Sequence, residues 1–582
     1  MIKVSRESAV SIPIILLFLL CSNLYGFKQS YWAVELPPFI FSFLVCCLVL
    51  VGLKGLAKQI PITLTDVIAA FFFFYSIFSS LVIAMPFPPS DRIFSILGCF
   101  LIYISVRITK PFSNESIQLL LNGLLFVIGC QAVYGILQFW LETNIVRGMF
   151  INPGIYGCFI GLGLPFITYL ITQPKIDKTR IVLLIVIGIL VVIALYLSRS
   201  RTACMSSLLG SMAIIIYRLK VKIIPIIAKN RITCTALPLM VFLGMMYLLW
   251  KQNTTSVSGR FLIWKISYSM FLDHPWFGIG YGNYFAEYGN YQASFFLSGK
   301  GTPDEIKMAG MNYYAFNEFL KIAVEQGVIG FLSFILLIIK VIHSAWRGIK
   351  NAQDYMVIFI VIIAVILLFG LFSYPFQDFA ISALFYFCLA FVASIDTVLL
   401  KYTPSRLGKT VFLMVVCAFA FVSIERIYSI FQWRDATENL SEIHPSFDEF
   451  QQIYPVLSNN GAFLFNYAAE LAFASQYEKA IPIFKRAARY GNSVELYVWL
   501  AECFTATGEN VFAEQCFVKG TNMNPKLFKP FEHLLNFYQK TGQHDKARKI
   551  AEQICTKSIK IPSFEIDKIK AKALIYLQKD QL

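Results

Sequence analysis

Apolar runs of the length that crosses a bilayer recur thirteen times along these 582 residues, and they leave few folds open. They cover roughly 10–27, 33–53, 62–85, 91–107, 117–140, 150–172, 180–198, 202–217, 233–250, 317–342, 355–373, 379–399 and 410–430. A helix needs about 20 apolar residues to cross the ~30 Å hydrocarbon layer. The runs are continuous and do not alternate, which argues against a transmembrane β-barrel. Only 14% of the residues are charged, against about 25% in ordinary soluble domains. The expected fold is all-α, with a polytopic transmembrane helical bundle of about 13 spans over residues 1–433. Lys3 and Arg6 precede the first run in the manner of a signal peptide. No small-x-small cleavage site follows, so the run is read as an uncleaved span.

The net charge of +16 reads as a topology signal rather than a nucleic-acid footprint, because Lys and Arg sit in short loops. With the N-terminus inside, the inner segments hold Lys3/Arg6, Lys54/Lys58, Arg107/Lys110, Lys175/Lys178/Arg180, Arg218 through Arg231, Arg347/Lys350 and Lys401/Arg406/Lys409. The short outer loops hold only Lys28, Arg92, Arg147, Arg199 and Arg201. This pattern puts one large polar loop, about 251–316, on the outer side, the periplasm in a Gram-negative cell. The C-terminal residues fall on the same side.

Ser198-Arg199-Ser200-Arg201-Thr202 joins two spans on the side that the charge rule disfavours. Arginines at span ends can snorkel to the interface. A pair in so short a turn points instead to an anion site, since the guanidinium fork matches phosphate oxygens. Arg260, in the large loop, lies on the same side and can converge with them. The loop continues through Asp273-His274-Pro275-Trp276-Phe277-Gly278-Ile279-Gly280. Its Gly278-Ile-Gly280-Tyr-Gly282 run lacks the frame of a nucleotide-binding loop and reads as a turn. Its aromatics, Tyr281, Tyr284, Phe285, Tyr288, Tyr291, Phe295, Phe296, Tyr313 and Tyr314, suit either sugar stacking or the interfacial belt. Glu325 could pair with an arginine of a span or line a cavity; Glu35, Asp66 and Asp378, at span ends, read as anchors.

From Arg434 the composition becomes that of a soluble helical domain. Ala480, Ala513 and Ala547 recur at the tetratricopeptide period, as do Gly508 and Gly542, with Pro525 near a repeat end. The expected organisation is a linker helix at 434–460 and a tetratricopeptide α-solenoid at 461–582. Such stacks bind peptides or partners on a concave face, or serve as spacers. Ten of the thirteen cysteines lie in apolar spans and read as small apolar residues. Cys503 and Cys516 could form a disulfide, although buried thiols are favoured. No spacing suggests a metal site.

Five pieces, in order and spacing, resemble the O-antigen ligase and polymerase superfamily of membrane glycan transferases. They are Gln131-Ala-Val-Tyr-Gly135-Ile-Leu-Gln138, Phe150-Ile-Asn152-Pro153-Gly-Ile-Tyr-Gly157, Ser198-Arg-Ser-Arg201-Thr-Ala, Arg260 with the Asp273–Gly280 segment, and Asn317 with Gly327 and Gly330. The resemblance spans roughly 117–400, and the tail resembles that of relatives in the Bacteroides group. It implies metal-independent, inverting transfer of a glycan from undecaprenyl pyrophosphate, without a cofactor, at the periplasmic face of the inner membrane. The acceptor would be lipid A core, a second lipid-linked glycan, or a protein hydroxyl as in O-glycosylation. It also implies that Arg201 and Arg260, with Arg199, hold the pyrophosphate, and that Gln138, Asn152, His274 and Asn317 belong to the binding motifs. The family's His before the Asn is replaced by Phe316, so Glu318 becomes the candidate base, with His274 the lesser alternative, since the family shows its Asp-His-Pro turn as a structural element. A desolvated carboxylate can serve so, or it can complement the helix dipole. Other readings are a repeat-unit polymerase, a lipid-linked glycan transporter, or a non-catalytic scaffold.

Overall fold

A computed structural model describes residues 8–21, 33–52, 59–83, 91–108, 114–141, 145–174, 176–219, 254–351, 353–440, 447–559 and 561–579. The expected span at 233–250, the first residues of the large loop, part of the 434–460 linker and the basic residues Lys3, Arg6, Lys28, Lys54, Lys58, Lys110, Lys175 and Lys220–Arg231 lie outside the described residues. The chain is built of helices: α1 Ser8–Cys21, α2 Pro37–Gly52, α3 Leu64–Phe78, α4 Ile93–Ile108, α5 Asn114–Leu141, α6 Pro153–Gly161, α7 Gly163–Ile171, α8 Lys178–Leu197 and α9 Arg201–Arg218. The large loop forms α10 Thr254–Asp273, α11 Tyr284–Leu297 and α12 Pro303–Met308. Then come α13 Glu318–Lys350, α14 Met356–Gly370, α15 Phe379–Ala393 and α16 Arg406–Glu438. Six segments among the described residues are long and apolar enough to cross a membrane: Leu64–Ile83, Asn114–Leu141, Pro153–Ile171, Lys178–Leu197, Glu318–Lys350 and Arg406–Glu438. Shorter apolar helices occupy Pro37–Val51, Ile93–Ile108, Met356–Gly370 and Phe379–Ala393. The chain is a multi-pass membrane protein.

Contacts sort the helix ends into two groups. At one end, Arg107 grips Asp66 with two nitrogens (2.7 and 2.8 Å), Lys340 pairs with Asp396 at 2.9 Å, and Arg218 pairs with Asp354. Here α3 begins, with Thr63 and Asp66 forming a capping box. A short antiparallel pair, β1 Ile60–Thr63 with β2 Val398–Tyr402, closes this end. It is an addition to the all-helical expectation. Both segments are short and about 340 residues apart, so neither carries a strand signal of its own. At the other end sit the starts of α4, α6, α9, α13 and α15, together with the whole of 254–317.

The C-terminal residues form antiparallel helix pairs. α17 Asp448–Leu457 leads into α18 Gly461–Phe473 with α19 Tyr477–Ala487, and α20 Val494–Ala506 with α21 Asn510–Met523. α22 Lys529–Lys540 with α23 His544–Thr556, and α24 Phe564–Lys579, follow. Ala480, Ala513 and Ala547 are buried at the pair interfaces, where only a small side chain lets the helices approach. Gly508 and Gly542 take left-handed φ (81° and 72°) in the intra-pair turns, and Ser475 does so at the first (58°). Cys503 and Cys516 are free thiols.

This helical array sits against the large loop. α11 packs on α21. The buried Asn492 amide donates to the Ala286 carbonyl, and the Gln292 amide donates to the Met523 carbonyl. At its root, Asn460 donates one amide to both Glu35 and Asp91, each at 3.0 Å, and Arg426 pairs with Asp91.

Candidate functional site

The loop meets the membrane helices through a backbone clamp. Within α13, Gly327 leaves helical geometry (φ 63°, ψ −167°) and breaks the hydrogen-bond ladder. The 275–280 segment fills the gap. Val328 N donates to Pro275 O at 2.8 Å, Ile279 N to Val324 O at 3.0 Å and Gly280 N to Glu325 O at 2.9 Å. The two backbones approach so closely that a β-carbon on Gly278 would lie 2.4 Å from the Glu325 carbonyl. One on Gly327 would lie 2.3 Å from that of Trp276. The end of α3, which widens into a π-helical turn at Ser79–Ile83, supports the break. Tyr75 O–H donates to Gln326 O at 3.0 Å, Ser76 Oγ to Gln326 Oε1 at 2.9 Å, and Ser79 Oγ accepts from Tyr281 N at 3.1 Å. These three supports went unread in the sequence. Their only trace there is hydroxyl groups at helical spacing inside an apolar run.

Glu325 belongs to this clamp. It accepts from Tyr284 N at 3.2 Å and pairs with Lys321 at 3.7 Å, rather than with an arginine of a span. His274 accepts from Gly278 N through its carbonyl and is exposed; among the described residues, no contact joins its side chain to the cluster below. Tyr284 and Tyr288 are loop core, with hydroxyls bound to Ser267 and Gln292, so they cannot face a sugar.

At the start of α13, nine residues before the Gly327 break, residues from four distant segments meet. Asn152 caps α6, accepting from Ile155 N at 2.9 Å, and its amide donates to the Tyr374 hydroxyl. The Tyr374 ring stacks on Tyr314 at 4.0 Å and meets the edge of Phe316 at 5.0 Å. The Arg260 guanidinium lies 5.6 Å from the Phe316 ring. Phe316 takes a left-handed φ of 52° that turns the chain into α13. Asn317 then caps α13, accepting from Leu320 N at 3.0 Å. Glu318 is buried and accepts from Phe376 N at 3.0 Å, tying the start of α13 to the turn that carries Tyr374. Asp378 caps α15 at the end of that turn.

The double-arginine turn packs on the Asn152 turn. Ser200 Oγ donates to Gly154 O at 3.4 Å, and a β-carbon on Gly157 would lie 2.6 Å from Ser200 Cβ. Arg199 is exposed with left-handed φ (53°), and Arg201 opens α9 beside it. Gln138 lies nearby, but its oxygen accepts from Arg147 N and Gly148 N, both at 3.0 Å, and so holds the turn before Asn152.

The fold therefore gathers Asn152, Arg260, Asn317 and Glu318 around Tyr374 and Phe316, with the Arg199–Arg201 turn on their flank. Gln138 and His274 lie outside that cluster. Burial pushes the Arg260 guanidinium below its usual range, and the nearby Tyr374 acts the other way. An arginine stays a cation at neutral pH all the same, and a cation part-shielded from water attracts an anion more strongly. Burial pushes the Tyr374 hydroxyl up, so it keeps its proton. Among the described residues, no group of His, Cys, Asp and Glu side chains is arranged to hold a metal ion. The cluster can bind an anion beside a buried carboxylate. No curated protein matches the chain. Residues 183–335, which include the double-arginine turn, Arg260, both segments of the clamp and Asn317–Glu318, match the family model described as O-Antigen ligase, and this supports placing the chain in the O-antigen ligase superfamily, with a glycan ligase-like or polymerase-like function.

Proposed function

We propose that the protein transfers a glycan from undecaprenyl pyrophosphate to an acceptor hydroxyl at the periplasmic face of the inner membrane. The observation that carries this reading is the meeting of Arg260 with the Asn152, Tyr374 and Glu318 segments, flanked by the Arg199–Arg201 turn. The arginines hold the pyrophosphate. The acceptor oxygen attacks the anomeric carbon from the opposite face and forms the new glycosidic bond. The bond from that carbon to the phosphate oxygen breaks, and undecaprenyl pyrophosphate leaves with the electron pair. The acceptor proton passes to Glu318, the buried carboxylate beside the cluster. Inversion at the anomeric carbon follows from the single displacement. Pyrophosphate is a good leaving group, so charge stabilisation by fixed cations supplies much of the rate, and no metal is required. Asn317 sets the start of α13 and thereby the position of Glu318.

The helical array is a tetratricopeptide domain, with the membrane part at 1–433, a linker at 434–460 and the repeats at 461–582. It stands on the periplasmic side with the large loop. Its contact with α11 favours an acceptor that is recognised by the array, hence a protein or another non-lipid-linked acceptor, as in protein O-glycosylation, over a repeat-unit polymerase. The test is a deletion strain complemented with wild type, Arg260→Ala or Glu318→Gln and read by glycan blot. Loss of glycan from many proteins is the expected result for Arg260→Ala. Loss of long polysaccharide alone points to a polymerase, and loss from lipid A to a lipopolysaccharide ligase. Full activity of Glu318→Gln removes Glu318 as the base.

A further inference from the structure

The hydrogen bonds around Asn152 fix where one proton must go. Asn152 Oδ1 is engaged as the α6 cap, accepting from Ile155 N at 2.9 Å. The amide orientation is therefore set, because a flipped amide would turn its NH₂ onto the Ile155 N–H and lose the cap. The NH₂ group faces Tyr374, and the Tyr374 oxygen is the acceptor in that bond. A phenol that accepts through its oxygen still has its own proton to give. Among the described residues, no acceptor receives it. The ring cannot swing to seek one elsewhere, since Tyr314 stacks on one face and Phe316 abuts it. Phe316 is also the residue over which the Arg260 guanidinium lies, at 5.6 Å. A cation and an oriented O–H thus share one small aromatic-walled space, the donor set that a phosphoryl oxygen requires.

We propose that Tyr374 is a substrate-contacting hydrogen-bond donor, presented by Asn152, that binds a diphosphate oxygen together with Arg260. The inference rests on the glycan-transfer reading and adds to it a residue from the α14–α15 turn. Asn152 acts through Tyr374 as a positioning residue: it occupies the phenol oxygen so that the proton points to the ligand.

The test uses the full-length protein in detergent with undecaprenyl pyrophosphate as the probe. Tyr374→Phe keeps both ring contacts and removes only the hydroxyl. It is expected to bind the probe about 10- to 100-fold more weakly, the range for losing a hydrogen bond to a charged partner, with a melting temperature lowered only slightly by the loss of the Asn152 bond. Asn152→Asp retains a capping oxygen while its second oxygen takes the Tyr374 proton, so it should show a defect of its own. If that defect acts through the phenol, the double variant is no worse than the stronger single variant. Should Tyr374→Phe fail to fold, Asn152→Asp carries the same prediction. Wild-type affinity in Tyr374→Phe alongside loss in Arg260→Ala overturns the proposal and leaves the transfer reading standing. Wild-type affinity in all three variants overturns both. Additive defects in the double variant show that Asn152 acts by charge and overturn its role as the presenter of Tyr374.

Discussion

Replacing Gly327 with alanine should dismantle the clamp and with it the site. At φ 63° and ψ −167° the backbone occupies a region open almost only to glycine, and alanine there costs about 1–3 kcal/mol. Strain is the smaller part. The new β-carbon would lie 2.3 Å from both the carbon and the oxygen of the Trp276 carbonyl, and 2.6 Å from Phe277 N. These are backbone atoms and cannot rotate aside. The 275–280 segment must lift, which breaks the bonds Val328–Pro275, Ile279–Val324 and Gly280–Glu325 and the longer Ile329–Trp276 bond at 3.4 Å. At about 0.5–1.5 kcal/mol each, the combined loss reaches roughly 3–9 kcal/mol, comparable to the ~5–15 kcal/mol that holds a domain folded. Epitope-tagged protein in membrane fractions measures abundance, a thermal scan in detergent measures stability, and a glycan blot measures output. All three should fall in Gly327→Ala and in Gly278→Ala, its partner across the clamp. Gly129→Ala is the control, since a β-carbon there meets only Ile187 Cγ2 at 3.9 Å. A Gly327→Ala protein that accumulates, melts and functions like the wild type would falsify the claim that the close approach positions the loop.

Three further outcomes follow from the same geometry. Gly157→Ala brings a β-carbon within 2.7 Å of Ser198 Oγ and should push the Arg199–Arg201 turn away from Asn152; glycan output should drop at least tenfold while abundance is kept, and equal output would separate the two turns functionally. Asn492→Ala removes the donor to Ala286 O, and limited proteolysis should then cut within 284–297 sooner; an unchanged digest would show that this bond does not hold the loop to the array. Asp396→Asn leaves Lys340 short of its partner and should cost about 3 kcal/mol, seen as a lower melting temperature with transfer intact in the surviving fraction. Burial pushes the Asp396 carboxyl up, but hydrogen bonds from Lys340, Thr65 and the Thr397 amide outweigh it and hold it down at about 2. A depressed carboxyl contributes stability that is whole above the unfolded value of ~3.9 and is lost as pH falls towards about 2. The wild type should therefore lose more stability than Asp396→Asn across that window, and parallel curves would remove Asp396 from the acid response.

The pieces of the site could be read in the sequence, but their roles could not. Arg260, Asn152 and Asn317 stood in motifs, and the fold brings them within one neighbourhood. Gln138 stood in a motif too, yet its side chain is occupied by the Arg147–Gly148 turn. A motif fixes residue type and spacing along the chain, whereas hydrogen-bond capacity is shared out among whatever the fold places nearby. Tyr374 carried no signal at all: it is one of 29 tyrosines, between two apolar helices. Its importance comes from contacts with residues 58, 60 and 222 positions away.

What the sequence determined by itself is the helical, membrane-embedded character. Hydrocarbon offers the backbone no hydrogen-bond partners, so each long apolar run must satisfy its own amides as a helix. Caps such as Asn152, Asn317 and Asp378 act within three residues, and they too are set locally. Tertiary structure alone decided that the Asp273–Gly280 segment and the Gly327 break are two halves of one joint. It alone decided that Tyr75, Ser76 and Ser79 brace that joint, and that the C-terminal array leans on the loop. Each of these depends on which distant backbone groups remain unpaired after the helices form. That is a property of how the helices are packed, and no single segment carries it.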